Sequence, residues 1–297
     1  MTATRARAVE APAWRQVDAV VRAQRAYGAG HCWLELDVPA GFASPRPGQF
    51  VQLLQPPGAG PTLLPRPMSV AAVSARRGGL TIGFLYAPIG AGTHALARLG
   101  PGDRVELLGP LGRGFPLERD GLPVLLAGGR GVAPLLFAAA ELAVAGRRAE
   151  FLFGARDAAH LVGLDDARAM LRRLGGRLHL CTDDGSRGAR GHVVALLDRV
   201  APRFAAPPVL HACGPHAMLR EVANWAIGHD CEAWLAMESV MACGTGVCRG
   251  CPLPRAAAAS AAFPADAPSL LGNRDYAMCC TEGPVFEARA LDWTRVH

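Results

Sequence analysis

A chain of 297 residues, 51% of them hydrophobic, is long enough for two or three domains with separate cores and too apolar for a disordered tail. Its formal net charge of +6 comes from scattered arginines rather than a dense basic run, and only 6% of residues are aromatic, so nucleic acid is excluded as the expected partner. No run of about 18 uncharged apolar residues is present and no apolar stretch follows the first arginines, so neither a membrane span nor a secretory signal is expected, and the cytoplasm is the expected location.

From residue 14 to 115, short stretches of β-like alternation are punctuated by Gly and Pro. Residues 31–38, 49–54, 80–85 and 104–108 read as strands of a small antiparallel barrel. The texture changes at 122–127, an apolar run that leads into glycines and an Ala- and Leu-rich helical segment reaching 145. Strands at 149–153, 177–181 and 209–213 then alternate with helices at 167–174, 193–200 and 216–228. Such alternation implies right-handed crossovers and a doubly wound parallel sheet, so the expected fold class is a β barrel plus α/β. Beyond 232 the chain is rich in cysteine, with an Ala- and Pro-rich stretch over 255–269 expected to be a loop and a hairpin expected over 284–290. The expected domains are 1–118, 119–232 and 233–297.

Nine cysteines, an odd number, argue for thiols and metal ligation rather than a disulfide framework, and five of the nine follow residue 240. Cys243, Cys248 and Cys251, followed by a distant Cys279 or Cys280, have the C-x4-C-x2-C spacing by which plant-type ferredoxins hold a [2Fe-2S] cluster. Glycines at 244, 246 and 250 fit a loop that must turn its backbone N–H groups towards sulfur. A structural zinc site on four thiolates is the competing reading, although zinc ribbons usually pair two C-x2-C units. Adjacent residues do not easily reach one cluster together, so one of Cys279 and Cys280 is expected to be a bystander. Cys32, Cys181, Cys213 and Cys231 lie in apolar runs or at element ends, as small buried hydrophobes do.

Three groups of residues suit phosphates. Arg66-Pro67-Met68-Ser69 follows a strand, and its arginine can meet a pyrophosphate in bidentate fashion. Gly90-Ala91-Gly92-Thr93 follows another strand and precedes a helical stretch, where backbone N–H groups and a hydroxyl can approach phosphate oxygens. Gly128-Gly129-Arg130-Gly131 ends a strand and opens a helix, the setting of a nucleotide-phosphate loop, without the G-x-G-x-x-G fingerprint. Cys213-Gly214-Pro215 ends a strand at the same carboxyl edge. An ordinary turn, or a solvated arginine, is the competing account of each.

In this order, and with Gly109-Pro110-Leu111-Gly112-Arg113-Gly114-Phe115 between them, the motifs resemble the ferredoxin-NADP reductase superfamily. Thr182-Asp183-Asp184-Gly185-Ser186, together with the cysteine-rich tail closed by Cys280-Thr281-Glu282-Gly283-Pro284-Val285-Phe286, narrows the resemblance. It is to the iron-sulfur electron-transfer subunits of NAD-linked dihydroorotate dehydrogenases, from about Val17 onwards. The resemblance implies an FAD-binding barrel, an NAD-binding α/β domain and a small [2Fe-2S] domain. It implies that Arg66, Pro67, Met68, Ser69, Gly90, Gly92 and Thr93 contact FAD. Gly128, Gly129, Gly131, Cys213 and Gly214 would line the nicotinamide nucleotide side. In that family the fourth cysteine directly precedes the x-x-Gly-Pro-Val-Phe segment, so Cys280 is the implied ligand with Cys243, Cys248 and Cys251, and Cys279 the bystander.

The implied partner is a catalytic dihydroorotate dehydrogenase subunit, in a heterotetramer serving pyrimidine biosynthesis. A hydride carrier moves two electrons together and a [2Fe-2S] cluster moves one, which places FAD between them. No base for dihydroorotate is evident, so no such activity is expected of this chain alone. Diaphorase subunits of hydrogenase or ferredoxin-NADP transhydrogenase complexes share the architecture and form the alternative; a zinc-bearing binding module is the non-catalytic one. Arg130 replaces the family's aliphatic residue, the interval from Cys251 to Cys280 is longer than usual, and the first 15 or so residues have no match. NAD versus NADP stays open, because Arg187 and Arg190 suit either a 2′-phosphate or water.

Overall fold

The computed structural model describes residues 14–54, 64–262 and 273–296. Most of the unmatched N-terminal stretch, and residues 263–269 of the Ala- and Pro-rich stretch, lie outside the described residues. The first part of the chain forms strands β1 (Arg15–Ala26), β2 (Cys32–Pro39), β3 (Phe50–Leu53), β4 (Arg66–Ser69), β5 (Ala72–Arg76), β6 (Gly79–Tyr86) and β7 (Arg104–Leu111), with helix α1 (Ala91–Ala97) before β7. They make one antiparallel sheet in the order β4-β3-β7-β1-β2-β6-β5. Alternation decides which way each strand faces: Leu34, Leu36 and Val38 of β2 are fully buried, while Glu35 and Asp37 between them stay partly exposed. Residues from β3 and β4 at one end of the order share a core with residues of β6 near the other, so the sheet curls around it.

The second sheet is built from β8 (Leu122–Gly128), α2 (Val132–Val144), β9 (Glu150–Ala155), α3 (Leu164–Leu174), β10 (Arg177–Thr182), β11 (Ala189–Arg190), α4 (Val193–Val200), β12 (Pro208–Cys213), α5 (His216–Gly228) and β13 (Glu232–Ala236). Its strands pair in parallel. Val124, Leu125, Leu126 and Ala127 of β8 are all fully buried, as a central strand covered by helices on both faces must be. β9, β10 and β11 extend the sheet to one side of β8, whereas β12 and β13 extend it to the other. The strand order therefore reverses between the carboxyl ends of β8 and β12, the place where open α/β sheets bind ligands.

The tail contributes β14 (Pro252–Pro254), α6 (Ala257–Ala261), β15 (Tyr276–Met278) and β16 (Val285–Glu287), with β14 and β15 paired antiparallel. Two expectations are corrected here. Part of the 255–269 stretch is helical, because a run of alanines carries the highest helix propensity and needs no capping side chain to form one short turn. No hairpin forms over 284–290: β16 joins the edge of the second sheet, antiparallel to β13, and then enters the 3-10 turn Ala288–Ala290. The tail is packed, not appended: Cys251, Cys279 and Cys280 share one core with Phe50 and Leu111 of the first sheet and with α4 and α5. The Arg255 and Glu282 side chains, 10% and 9% exposed, form an ion pair across the tail. Glu282 also accepts from the Met278 N–H at 2.8 Å, which fixes the turn that carries Cys279 and Cys280.

Candidate functional site

Between the two sheets opens a cleft of about 210 Å3. Its walls take Arg66, Pro67, Met68 and Ser69 from β4, Tyr86 from the end of β6, Thr93 from α1, Gly131 from the start of α2, and Cys213 and Glu238 from the far side. β4 is an edge strand, so Pro67 removes no ladder hydrogen bond, and Met68 anchors it in the barrel core while Pro67 and Ser69 stay exposed. Arg66 donates from Nη2 to the Leu64 carbonyl at 2.9 Å, yet its Nε is buried without a partner. That orphaned donor has capacity for an anion. Burial pushes the Tyr86 phenol up to about 12, and Gln24 donates to its oxygen at 2.6 Å. Burial, with the Glu238 charge beside it, raises the Cys213 thiol well above its usual range, so it faces the cleft as a neutral group.

Thr93 behaves differently from a free phosphate ligand. Its hydroxyl accepts from the Ile89 and Gly90 N–H groups at 3.0 and 3.1 Å and donates to the Gly90 carbonyl at 3.1 Å. It closes the turn that starts α1. Gly90 and Gly92 belong to that turn and are not among the residues lining the cleft.

A second cleft of about 660 Å3 lies over the carboxyl ends of the parallel strands. Gly128, Gly129 and Arg130 form one wall, Pro215 and Met218 another, Gly154 comes from β9 itself, and Arg156, Asp183 and His192 come from just past β9, β10 and β11. The glycine at 131 has a packing reason: a Cβ there would stand 2.1 Å from the Cys213 carbonyl oxygen, because the turns after β8 and β12 touch. Gly214, buried, belongs to the second of those turns. Ala87, Ile89 and Arg130 line both clefts, so the two meet. Sequence reasoning gave no site role to Arg156, Asp183, His192 or Glu238, although Asp183 lies in the motif at 182–186 that carries the resemblance. Arg156 and Asp183 lie just past the ends of expected strands, where open α/β sheets bind ligands, whereas no expected strand ends just before His192 or Glu238. Arg187 and Arg190 are not among the lining residues, and the Arg190 stem lies against Gly185 instead.

The cysteines occupy one loop and one turn. Cys243 accepts from the Thr245 and Cys248 N–H groups, each at 3.4 Å, and Cys248 from the Gly250 N–H at 3.4 Å. The loop achieves this with positive φ at Gly244 (73°), Gly246 (85°) and Arg249 (55°). Gly250 needs no such angle, and the left-handed residue is the arginine before it. Partial burial raises the Cys243 thiol, but hydrogen bonds from the backbone and the side chains of Cys248 and Thr245 together outweigh it and draw the group down to about 6. Cys251 is drawn down to about 7, chiefly by the hydrogen bond from the Cys280 thiol, and the same bond holds Cys280 up. Cys279 turns the other way: fully buried, its thiol points to the Met237 carbonyl at 3.7 Å, and burial keeps it protonated. Among the described residues no three metal-binding side chains already form a compact set for a single ion.

No protein-family model matches the chain. The chain is 35% identical over 246 residues to the electron transfer subunit of dihydroorotate dehydrogenase B (NAD(+)) from Geobacillus kaustophilus, covering 82% of this chain and 85% of that one. With the subunit of the same name from Desulforamulus reducens the identity is 33% over 262 residues, 88% of this chain and 92% of the other. The chain belongs to the family of dihydroorotate dehydrogenase B electron transfer subunits. In fold, this family member is similar to a solved NADH-dependent reduced ferredoxin-NADP oxidoreductase, with TM-score 0.76, 24% identity, and 94% and 91% of the two chains covered. It is also similar to the ferredoxin NADP+ reductase of Neisseria gonorrhoeae, solved with bound FAD and NADP, at TM-score 0.59, 19% identity, and 72% and 91% coverage. No helix among the described residues of this electron transfer subunit is long and apolar enough to cross a membrane.

Proposed function

We propose that this chain carries electrons between the flavin of a separate catalytic dihydroorotate dehydrogenase subunit and NAD, using FAD in the first cleft, NAD in the second and a [2Fe-2S] cluster on Cys243, Cys248, Cys251 and Cys280. The observation that carries the reading is the meeting of the two clefts at Ala87, Ile89 and Arg130, with the cysteine loop packed against β3 and β7 of the barrel. Two dinucleotides bound there would present their reactive ends to each other. The relatives' names supply the partner class and NAD. A heterotetramer and a cytoplasmic location complete the proposal, and the divisions 1–118, 119–232 and 233–297 are the proposed domains.

The residues present fit these groups. Arg66 offers an unpartnered buried Nε, with Ser69 exposed beside it, to the FAD pyrophosphate. Gly128 and Gly129 let a second dinucleotide approach the start of α2, a thirteen-residue helix whose N-terminal N–H groups favour phosphate, while Gly131 lets the turns after β8 and β12 touch beside the first cleft. Thr93 orders the wall between them. Cys213, neutral and buried, presents a small surface for the nicotinamide ring and no nucleophile. The backbone donors around Cys243 and Cys248 stabilise thiolates, as ligation of iron requires. FAD supplies the exchange between paired and single electrons that NAD and the cluster demand. The oxidation of dihydroorotate is assigned to the partner, whose class the relatives' names supply.

Co-expression with a barrel-type dihydroorotate dehydrogenase catalytic subunit tests this. The complex should reduce NAD with dihydroorotate, and the isolated chain should oxidise NADH with an artificial acceptor but leave dihydroorotate untouched. A chain that copurifies instead with a hydrogenase subunit, and gives no such coupled reaction, contradicts the proposal.

A further inference from the structure

Gln52 stands in the middle of β3 and is 0% exposed, yet neither its side-chain Nε2 nor its Oε1 has a hydrogen-bond partner. Both ends of a buried amide left bare carry the full cost of desolvation, and such a group calls for an explanation. Strand alternation turns Gln52 away from the barrel. Val51 and Leu53 belong to the barrel core, whereas Phe50, two residues away and on the same face as Gln52, packs in the core that contains Cys251 and Cys280.

The amide abuts the cysteine loop. A Cβ built on Gly244 would lie 2.9 Å from Gln52 Cγ and 3.0 Å from Nε2, so the residue directly after Cys243 has no side chain because Gln52 occupies that place. On its other side the backbone of Gln52 pairs with Pro67, next to Arg66 of the first cleft. One buried, unpartnered donor thus stands between the loop proposed for the cluster and the strand proposed for the flavin.

Building on the cluster reading above, we infer that Gln52 is a positioning residue for the cluster: its Nε2 donates to a sulfur at the Cys243 corner and raises the cluster's reduction potential. Reduction adds negative charge to the sulfurs, so a fixed N–H aimed at one of them favours the reduced state. The donor comes from the barrel rather than from the cysteine loop, so the same hydrogen bond ties the cluster segment to the flavin-bearing strand. Backbone N–H groups within the loop cannot do that.

Gln52→Leu keeps the volume and removes the donor. An EPR-monitored redox titration of the anaerobically purified holoprotein should show a cluster midpoint potential lower by about 59 mV, a tenfold fall in the one-electron equilibrium constant. An amide that merely packs under Gly244 would leave the potential unchanged, and that result overturns the inference. Should the variant fail to load iron, the wild-type protein carrying side-chain 15N-glutamine decides instead. Pulsed EPR of the reduced cluster should then show a 15N coupling, and its absence overturns the inference. A wild-type chain without iron removes the cluster reading itself, whereas a loaded cluster with neither the potential shift nor the coupling removes only the role of Gln52.

Discussion

Cys279 and Cys280 are neighbours in the chain and opposites in environment. Cys280 hydrogen-bonds Cys251 in the loop's sulfur group, while Cys279 faces the Met237 carbonyl with 0% exposure. Cys280→Ser should therefore abolish the iron-sulfur absorption, and Cys279→Ser should keep it at the wild-type level, at a cost of roughly 1–2 kcal/mol for burying a hydroxyl. Iron content and the visible spectrum check both. The opposite pattern would reassign the fourth ligand. At this scale the cysteine spacing was legible because cluster geometry constrains it. Thr93 was not, because the chain alone does not say whether a hydroxyl closes its own turn or waits for phosphate. Gln52 was not legible either: a glutamine in a β stretch is ordinary until its bare amide is found buried.

Among the elements, the turn from β8 into α2 makes the sharpest demand. Gly129 has φ +52° with nothing near its absent Cβ, while a Cβ at Gly131 would meet the Cys213 carbonyl oxygen at 2.1 Å. Gly129→Asn should be tolerated within about 1 kcal/mol, since asparagine adopts left-handed backbone. Gly131→Ala should cost about 1–3 kcal/mol by overpacking and weaken NADH binding at least several-fold, because the turns after β8 and β12 are forced apart. Thermal melts and NADH titrations of both variants test the contrast, and equal behaviour would contradict it. The glycine-rich turn was readable from its place between strand and helix, and α4 and α5 were readable to the residue from their apolar periodicity. β16 was not. A three-residue strand is decided by the edge of β13 that it finds, far away in sequence, and local pattern carries no trace of that edge.

In the molecule as a whole, the most deeply buried histidine among the described residues is His211. His211 in β12 is 1% exposed, its Nδ1 has no partner, and its ring meets Phe115 edge-on at 5.6 Å between centroids. Burial, with the Arg147 charge adding, depresses its pKa to about 3. The unfolded chain titrates it near about 6.5, so the unfolded state binds the proton first as pH falls. Stability is fully present above about 6.5 and is lost progressively towards pH 3. At pH 5 this one group costs about 2 kcal/mol. His211→Leu should reduce the drop in melting temperature between pH 7.5 and pH 5 by several degrees, and an undiminished drop would place the acid sensitivity elsewhere.

At the same scale the account rests on a flavin and a cluster held by one polypeptide whose three cores interlock. The most direct measurement is the iron and flavin content of the anaerobically purified chain, with its visible spectrum before and after NADH. Two iron atoms and one FAD per chain are expected, with the absorption of both bleached by NADH. A colourless protein with stoichiometric zinc would contradict it.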